Sequence, residues 1–312
     1  MRVALLANPA ARSGAHTGAA EKAAELLRAH GVQTTILSGG SAAESSELLR
    51  TAIGVGVDAV AVAGGDGTVG LAVQELAGTG IPLGIIPSGT GNDFAATLGL
   101  RELDIAAAAT AIAGGEIRRV DLARVTREDG STRYFGSVLA SGFDSKVNDR
   151  ANAMRWPRGG SRYNVAILVE FLTLAGIPYD VEYERADGTR ERISGDLVMA
   201  TVGNGRTYGG GIPIAPDADP ADGLLDLVLV RPAGRLRLLG LLPKVYRGTH
   251  ATVEQVSITR VRSVRLESPG VTAYADGDPI GALPLTVDVV PGALEVFTPA
   301  HPRADDRWGD DG

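Results

Sequence analysis

Apolar and polar positions in the first third of the chain alternate between two periods. Arg2–Ala7 is a continuous apolar run that predicts a strand. Thr17–His30 sets Ala20, Ala23, Ala24 and Leu27 on one face at helical spacing, and Gly31 follows as a stop. The alternation continues as strand Thr34–Leu37, helix Ser41–Ala52, strand Ala59–Ala63, helix Val69–Ala77, strand Leu83–Ile86 and helices Asn92–Leu98 and Ile105–Ala113. Strands alternating with helices predict a parallel sheet covered on both faces.

After Gly114-Gly115 the pattern changes. Tyr179–Arg185, Leu197–Val202, Leu225–Val230 and Leu285–Val290 read as strands, while Tyr163–Ala175 and Arg235–Tyr246 read as helices. Asp129-Gly130, Asp187-Gly188 and Asp276-Gly277 sit between strand-like runs. Asp-Gly is a hairpin signal because a two-residue turn needs positive φ at both positions. The expected fold class is an α/β N-terminal domain with a parallel sheet, followed by a mostly-β C-terminal domain over about 118–290. The polar, acidic stretch 301–312 reads as a disordered tail.

Composition narrows the function classes. The 312 residues suit two domains and include no cysteine, which excludes disulfides, Cys-ligated metals and a thiol nucleophile. That fits a reducing, cytoplasmic setting. A formal net charge of -7 argues against a nucleic-acid partner. Neither a signal peptide nor an uncharged apolar run long enough to span a bilayer is legible. Glycine, at 42 residues, is about twice its usual share of ~7%. That excess directs attention to the loops.

Gly64-Gly65-Asp66-Gly67-Thr68 follows a predicted strand and precedes a predicted helix. Amides in such a turn suit phosphate, and glycine lets a ligand approach the backbone. Asp66 would repel phosphates unless a cation intervenes, so it implies Mg²⁺ or contacts to substrate hydroxyls. The spacing Gly65-x-Gly67-x-x-Gly70 also matches a dinucleotide fingerprint, but the next strand ends in Pro87-Ser88 rather than in an acidic residue. A Walker loop is excluded because none of Lys22, Lys146 and Lys244 has the required context. A second glycine turn, Ser88-Gly89-Thr90-Gly91-Asn92-Asp93, again follows a strand and opens a helix, with Asn92 as the expected N-cap. Both turns fall where open α/β sheets bind ligands.

Gly64–Thr68 and Ser88–Ala95, with Arg119–Leu122, Asn204-Gly205, Gly209–Pro216, Asp222–Asp226 and Asp276–Asp278, resemble the diacylglycerol kinase catalytic family, including its bacterial lipid kinases. The resemblance spans roughly residues 2–299. It implies an α/β nucleotide-binding domain of residues 1–117 plus about 291–300, and a β-sandwich lipid-substrate domain of 118–290. It implies transfer of the ATP γ-phosphoryl group to diacylglycerol or a related lipid alcohol, hence a place in phospholipid metabolism. Asn8, Pro9, Ser13, Gly14, Ser38, Gly64, Gly65, Asp66, Gly67, Thr68, Gly89, Thr90 and Asn92 would bind nucleotide. Asp66 would work with Mg-ATP, Asp93 and Asp121 would face the cleft, and Asp278 stands where the family has a glutamate base. A structural Mg²⁺ would be held by Asp222 with backbone oxygens of Asp219 and Leu224. Plainer readings remain beside these: a hairpin turn for Asp276-Gly277, a satisfied strand-edge carboxylate for Asp121, and an ion-free acidic turn at 219–224.

The chain departs from the family pattern at Arg12, Gly70, Leu71 and Asp278. These keep open a non-catalytic lipid- or nucleotide-binding regulator, and the shared GGDGT turn keeps open an NAD-kinase-like enzyme. A lipid kinase must reach a bilayer. Two basic stretches run against the overall charge: Lys146, Arg150, Arg155, Arg158 and Arg162 around Trp156, and Arg231, Arg235, Arg237, Lys244 and Arg247 among leucines. Either can dock transiently on the inner face of the membrane as a peripheral surface, or be an ordinary solvated face. A homodimer through open strand edges is also compatible with the pattern.

Overall fold

The computed structural model describes residues 1–7, 18–154, 165–166, 169–170 and 175–300. The expectations for Asn8–Gly14, most of the predicted helix Tyr163–Ala175, Arg155–Arg162 and the 301–312 tail lie outside the described residues.

Four parallel strands, β1 (Arg2–Ala7), β2 (Gln33–Leu37), β3 (Ala59–Gly64) and β4 (Leu83–Pro87), lie in the order β4-β3-β1-β2. Every residue of β3 is buried, as a strand covered on both faces requires. Helices α1 (Ala19–Ala29) and α5 (Ile105–Gly114) pack Ala23, Ala24, Leu27 and Ile112 on one face. On the other lie α2 (Ala42–Gly54), α3 (Asp66–Leu76) and α4 (Asp93–Thr97), with Leu49, Val69, Val73 and Phe94 against Leu6, Val60 and Val62. Ser41 caps α2, its Oγ accepting the Glu44 amide at 3.2 Å, and Asp104 caps α5 through the Ala107 amide at 2.7 Å.

The antiparallel half comprises β5 (Glu116–Arg127), β6 (Thr132–Phe135), β7 (Val138–Gly142), β8 (Ile177–Arg185), β9 (Arg190–Leu197), β10 (Met199–Gly203), β11 (Leu225–Val230), β12 (Val256–Glu267), β13 (Thr272–Ala275), β14 (Asp278–Ala282) and β15 (Leu285–Thr298). Its core gathers Phe135, Leu139, Val181, Leu227, Val264 and Leu285. Val228 and Val230 project to the opposite face, which α7 (Arg235–Tyr246) covers through Leu238 and Leu241. Helix α6 (Phe143–Ala153) is not predicted by the pattern, because FDSKVNDRANA carries little apolar periodicity.

β5 and β15 form one ladder, from Leu285 opposite Arg127 to Thr298 opposite Glu116. Its register shifts between Val290 and Leu294, around Gly292 at φ 59. Past that bulge β15 also pairs in parallel with β4. The ladder therefore runs from the antiparallel half into the parallel one.

Of the Asp-Gly hairpins, Asp276-Gly277 has positive φ at both residues, 48 and 86. The other two differ from the expectation. Only Gly130 and Gly188 are left-handed there, and the preceding aspartates instead accept the amides of Ser131 and Thr189 at 2.9 Å. Side-chain bonds of that kind favour the wider loop, closed by a single left-handed glycine.

Candidate active site

β3 and β4 stay in register down to Gly64 opposite Pro87, so the turns that follow leave the sheet side by side. The turns touch. A Cβ on Gly65 would stand 3.0 Å from the Gly89 Cα, and one on Gly89 would overlap Gly65. Glycine is required here because backbone meets backbone. Gly64 is buried against Thr68, while Gly67 and Thr90 are exposed at the rim. Ser38 is exposed just beyond β2, at the same carboxyl edge of the sheet.

Asn92 precedes α4 at φ 53, but its side chain does not cap the helix as expected. Its Oδ1 accepts the Gly89 amide at 3.0 Å and its Nδ2 donates to the Gly89 carbonyl at 2.9 Å, closing the second turn on itself. The α4 amide of Phe94 donates instead to Asp66 Oδ1 at 3.3 Å. Asp66 thus opens its own helix and caps the neighbouring one. A Cβ on Gly91 would lie 2.5 Å from Asp66 Oδ2 and 3.8 Å from Asp93 Oδ2, so the two carboxylates bracket Gly91. Burial, then the charge of Asp66, raises the Asp93 pKa, and the amide of Gly210 works against the rise. Two carboxylates beside a turn rich in amides fit a hard cation that arrives with phosphates.

The antiparallel half reaches this edge at several points. Gly210 donates to Asp93 Oδ1 at 2.9 Å, and Arg101 Nη1 donates to the Gly210 carbonyl at 3.1 Å. The Gln74 carboxamide on α3 donates to the Tyr134 carbonyl at 2.8 Å and accepts its amide at 2.9 Å. Within the antiparallel half itself, Asp278 opens β14 and pairs with Arg133 of β6. Sequence reasoning missed Gln74, Arg133 and the buried partners of Asp276. None belongs to a short motif, and each meets its partner only across strands distant in sequence.

Asp121 is placed differently from the expectation that it faces the cleft. It is 3% exposed, and both carboxylate oxygens are taken by backbone, Oδ1 by the Gly292 amide and Oδ2 by the Gly223 amide, each at 2.7 Å. Burial raises its pKa against those two bonds. It braces the bulge of the β5–β15 ladder. Among the 219–224 residues, Asp219 Oδ1 accepts the Ala221 amide at 3.0 Å and Asp222 Oδ1 the Leu224 amide at 2.9 Å. Asp222 also pairs with Arg260. Both Asp222 oxygens are thus engaged, Oδ1 by the Leu224 amide and Oδ2 by the Arg260 guanidinium, so this loop does not present its Asp222 side chain to the structural Mg²⁺ implied by resemblance. Among the described residues, no three acidic or imidazole groups are arranged to hold a metal. Asp226, the last residue of the Asp222–Asp226 motif, is 4% exposed, and burial with the charge of Asp217 pushes its pKa up to about 6.

Residues 2–125 match the family described as the diacylglycerol kinase catalytic domain, and residues 137–298 match the YegS C-terminal NAD kinase beta sandwich-like domain. A protein named diacylglycerol kinase from Mycobacterium tuberculosis (strain ATCC 25618 / H37Rv) is 45% identical over 300 residues, covering 96% of each chain. A protein named "Probable lipid kinase YegS-like" from Stenotrophomonas maltophilia (strain K279a) is 30% identical over 284 residues, 88% of this chain and 89% of that one. The fold matches the crystal structure of a diacylglycerol kinase from Bacillus anthracis str. Sterne with a TM-score of 0.69 at 24% identity, over 96% of this chain and 97% of that one. With both halves matched and the glycine turns set together at the sheet edge, the chain belongs to the diacylglycerol kinase and YegS-like lipid kinase family.

Proposed function

We propose that this chain transfers the γ-phosphoryl group of ATP to the hydroxyl of diacylglycerol or a closely related lipid alcohol. The observation that carries the reading is the contact of the two glycine turns with Asp66 and Asp93 bracketing Gly91. Amides of Gly65, Asp66, Gly67 and Thr90 would cradle the phosphates, with Gly64, Thr68 and Gly89 shaping the turns and Asn92 holding the second turn closed. Asn8, Pro9, Ser13, Gly14 and Ser38 would complete the nucleotide site. Asp66 and Asp93 would hold the Mg²⁺ that accompanies ATP, which supplies neutralisation of phosphate charge. Phosphoryl transfer asks mainly for such positioning and charge matching. Asp278 would take the proton of the acceptor hydroxyl, with Arg133 fixing its carboxylate. The 45% identical relative named diacylglycerol kinase supports diacylglycerol as acceptor.

The acceptor lies in a bilayer, and α7 suits that surface. Arg231, Arg237, Lys244 and Arg247 are exposed around it, and none has an ion-pair partner among the described residues. Tyr246 is 62% exposed beside them. In the other basic stretch Arg150 is tied to Glu170, so its charge is already matched. Each free cation near an anionic surface contributes about 1 kcal/mol.

Labelled ATP with Mg²⁺ and a panel of diacylglycerol, sphingoid base, undecaprenol and NAD tests the reaction. Label in diacylglycerol that disappears in Asp66→Ala is expected. Label in NAD alone supports the NAD-kinase alternative. ATP binding without transfer to any acceptor supports the regulator. For the membrane surface, co-sedimentation with anionic vesicles should fall in Arg237→Glu/Lys244→Glu, with no change on neutral vesicles. Equal binding to both vesicle types by the wild type would sink that part.

A further inference from the structure

Asp276-Gly277 forms a two-residue hairpin turn, yet its side chain does more than a turn requires. We propose that Asp276 is a positioning residue whose carboxylate, seated in a cradle of three successive amides, fixes the hairpin bearing Asp278 against the nucleotide turns. The inference rests on the reading that Asp278 acts at the acceptor hydroxyl.

The cradle is made by the turn between β6 and β7. The Gly136 amide donates to Asp276 Oδ2 at 2.8 Å, and the Ser137 and Val138 amides donate to Oδ1 at 3.0 and 3.1 Å. Successive amides converging on one point form an anion site, and here the chain's own carboxylate fills it. The Asp276 amide returns a bond to the Val138 carbonyl at 3.1 Å. Asn-Gly or Gly-Gly would form the same turn without any of these side-chain bonds.

The far side of the cradle rests on the nucleotide half. Gly136 lies so close to the Phe94 ring that a Cβ would overlap it. Ser137 is fully buried with its Oγ 3.4 Å from Thr97 Oγ1, and its carbonyl accepts the amides of Asn204 and Gly205, both at 2.8 Å. Asn204 Nδ2 donates to the Gly136 carbonyl at 2.8 Å. Phe94 is the residue whose amide Asp66 accepts. An unbroken path of contacts thus runs Asp66, Phe94, Gly136, Asp276, and from there two residues along the chain to Asp278. The charge of Asp66 is felt at Asp276, whose pKa burial pushes up to about 6 against its three amide bonds.

The test uses the full chain with Asp276→Asn and Asp276→Gly, both of which accept the turn's backbone. Asn keeps one acceptor oxygen and sets an amide donor against the cradle, and Gly leaves the cradle empty. With Mg-ATP and dioctanoylglycerol in detergent micelles, kcat should fall about tenfold or more in Asn and further in Gly, since small misplacements of a reacting group are costly. KM for ATP should stay within about threefold. Deuterium uptake should rise in peptides spanning 134–140 and 88–96. A kcat that follows only the folded fraction, with uptake changed only within 272–282, would overturn the proposal. If the wild type transfers phosphate to nothing, the reading of Asp278 fails separately. Hydrogen exchange then decides, and an unchanged 88–96 peptide overturns the coupling.

Discussion

Asp93 and Gly210 join the two halves of the molecule across the candidate cleft, the Gly210 amide donating to Asp93 Oδ1 at 2.9 Å. Gly209, Gly210 and Gly211 all have positive φ, at 59, 84 and 116, which only glycine holds without strain over three residues. Asp93→Asn keeps an acceptor for that amide but removes a charge next to Asp66. The expected result is a chain that melts no lower than the wild type, yet transfers phosphate at least ~100-fold more slowly. Carboxyl carbon-13 NMR adds a second readout. The raised Asp93 pKa should move down in Asp66→Asn, because one of its causes is then gone. An unmoved titration would disconnect the two carboxylates.

The meeting of the glycine turns yields a steric prediction. Gly89→Ala forces its methyl group onto Gly65, so the turns must part. Overpacking of this kind costs about 1–3 kcal/mol. Calorimetry should show that loss together with weakened ATP binding. Gly67→Ala, at an exposed position with open space around its Cβ, should melt like the wild type.

Asp278 stands one methylene short of the glutamate that the family pattern carries. Asp278→Asn should reduce kcat by roughly 10²–10⁴-fold if it is the base. Asp278→Glu should retain most of the activity. Equal loss in both variants would assign the residue to its pairing with Arg133 rather than to proton transfer.

Asp226 gives a stability prediction with a definite sign. Its folded pKa, about 6, lies above the ordinary 3.8, so the folded state holds the proton more tightly. Stability is therefore lost as pH rises from about 4 through 6, and the loss is complete above that window. Asp226→Asn should stabilise the chain at pH 7.5 by roughly 1–3 kcal/mol and have no such effect near pH 4. Urea titrations at the two pH values check it.

Arg260 occupies the place of a cation beside Asp222. Addition of MgCl₂ or EDTA without nucleotide should leave the wild-type melting temperature unchanged. Arg260→Ser should melt lower and regain stability with millimolar Mg²⁺. A wild type that already responds to Mg²⁺ through this loop would contradict the pairing.

The parallel half was legible because its signals are local. The AVAVA run, the glycine turns and the helical faces each lie within about a dozen residues, and the structure repeats them with small shifts of boundary. The sequence places Asn92 at the start of α4 but does not show its partner, because the cap comes from Asp66, distant in sequence and adjacent only through the pairing of β3 with β4. Asp121 reads as an acidic residue near a strand edge. Its two partners, Gly223 and Gly292, come from segments that only the tertiary fold brings together. The cradle around Asp276 was invisible for the same reason: three amides carry no side-chain signature in a sequence.

The β5–β15 ladder also bears on biosynthesis. Leu294, Val296 and Phe297 belong to the cores of the parallel half, although that half is otherwise made from the first part of the chain. A ribosome releases them only after the whole antiparallel half from β5 to β14. Until they arrive, β4 has an open edge and the cores around it are incomplete, so the first half cannot finish folding while the second is being made. Contacts between such distant residues slow folding and leave apolar surface exposed meanwhile. A fragment ending near residue 125, though it spans the matched catalytic region, is therefore expected to aggregate rather than work alone, and closure of the parallel half waits for the synthesis of β15.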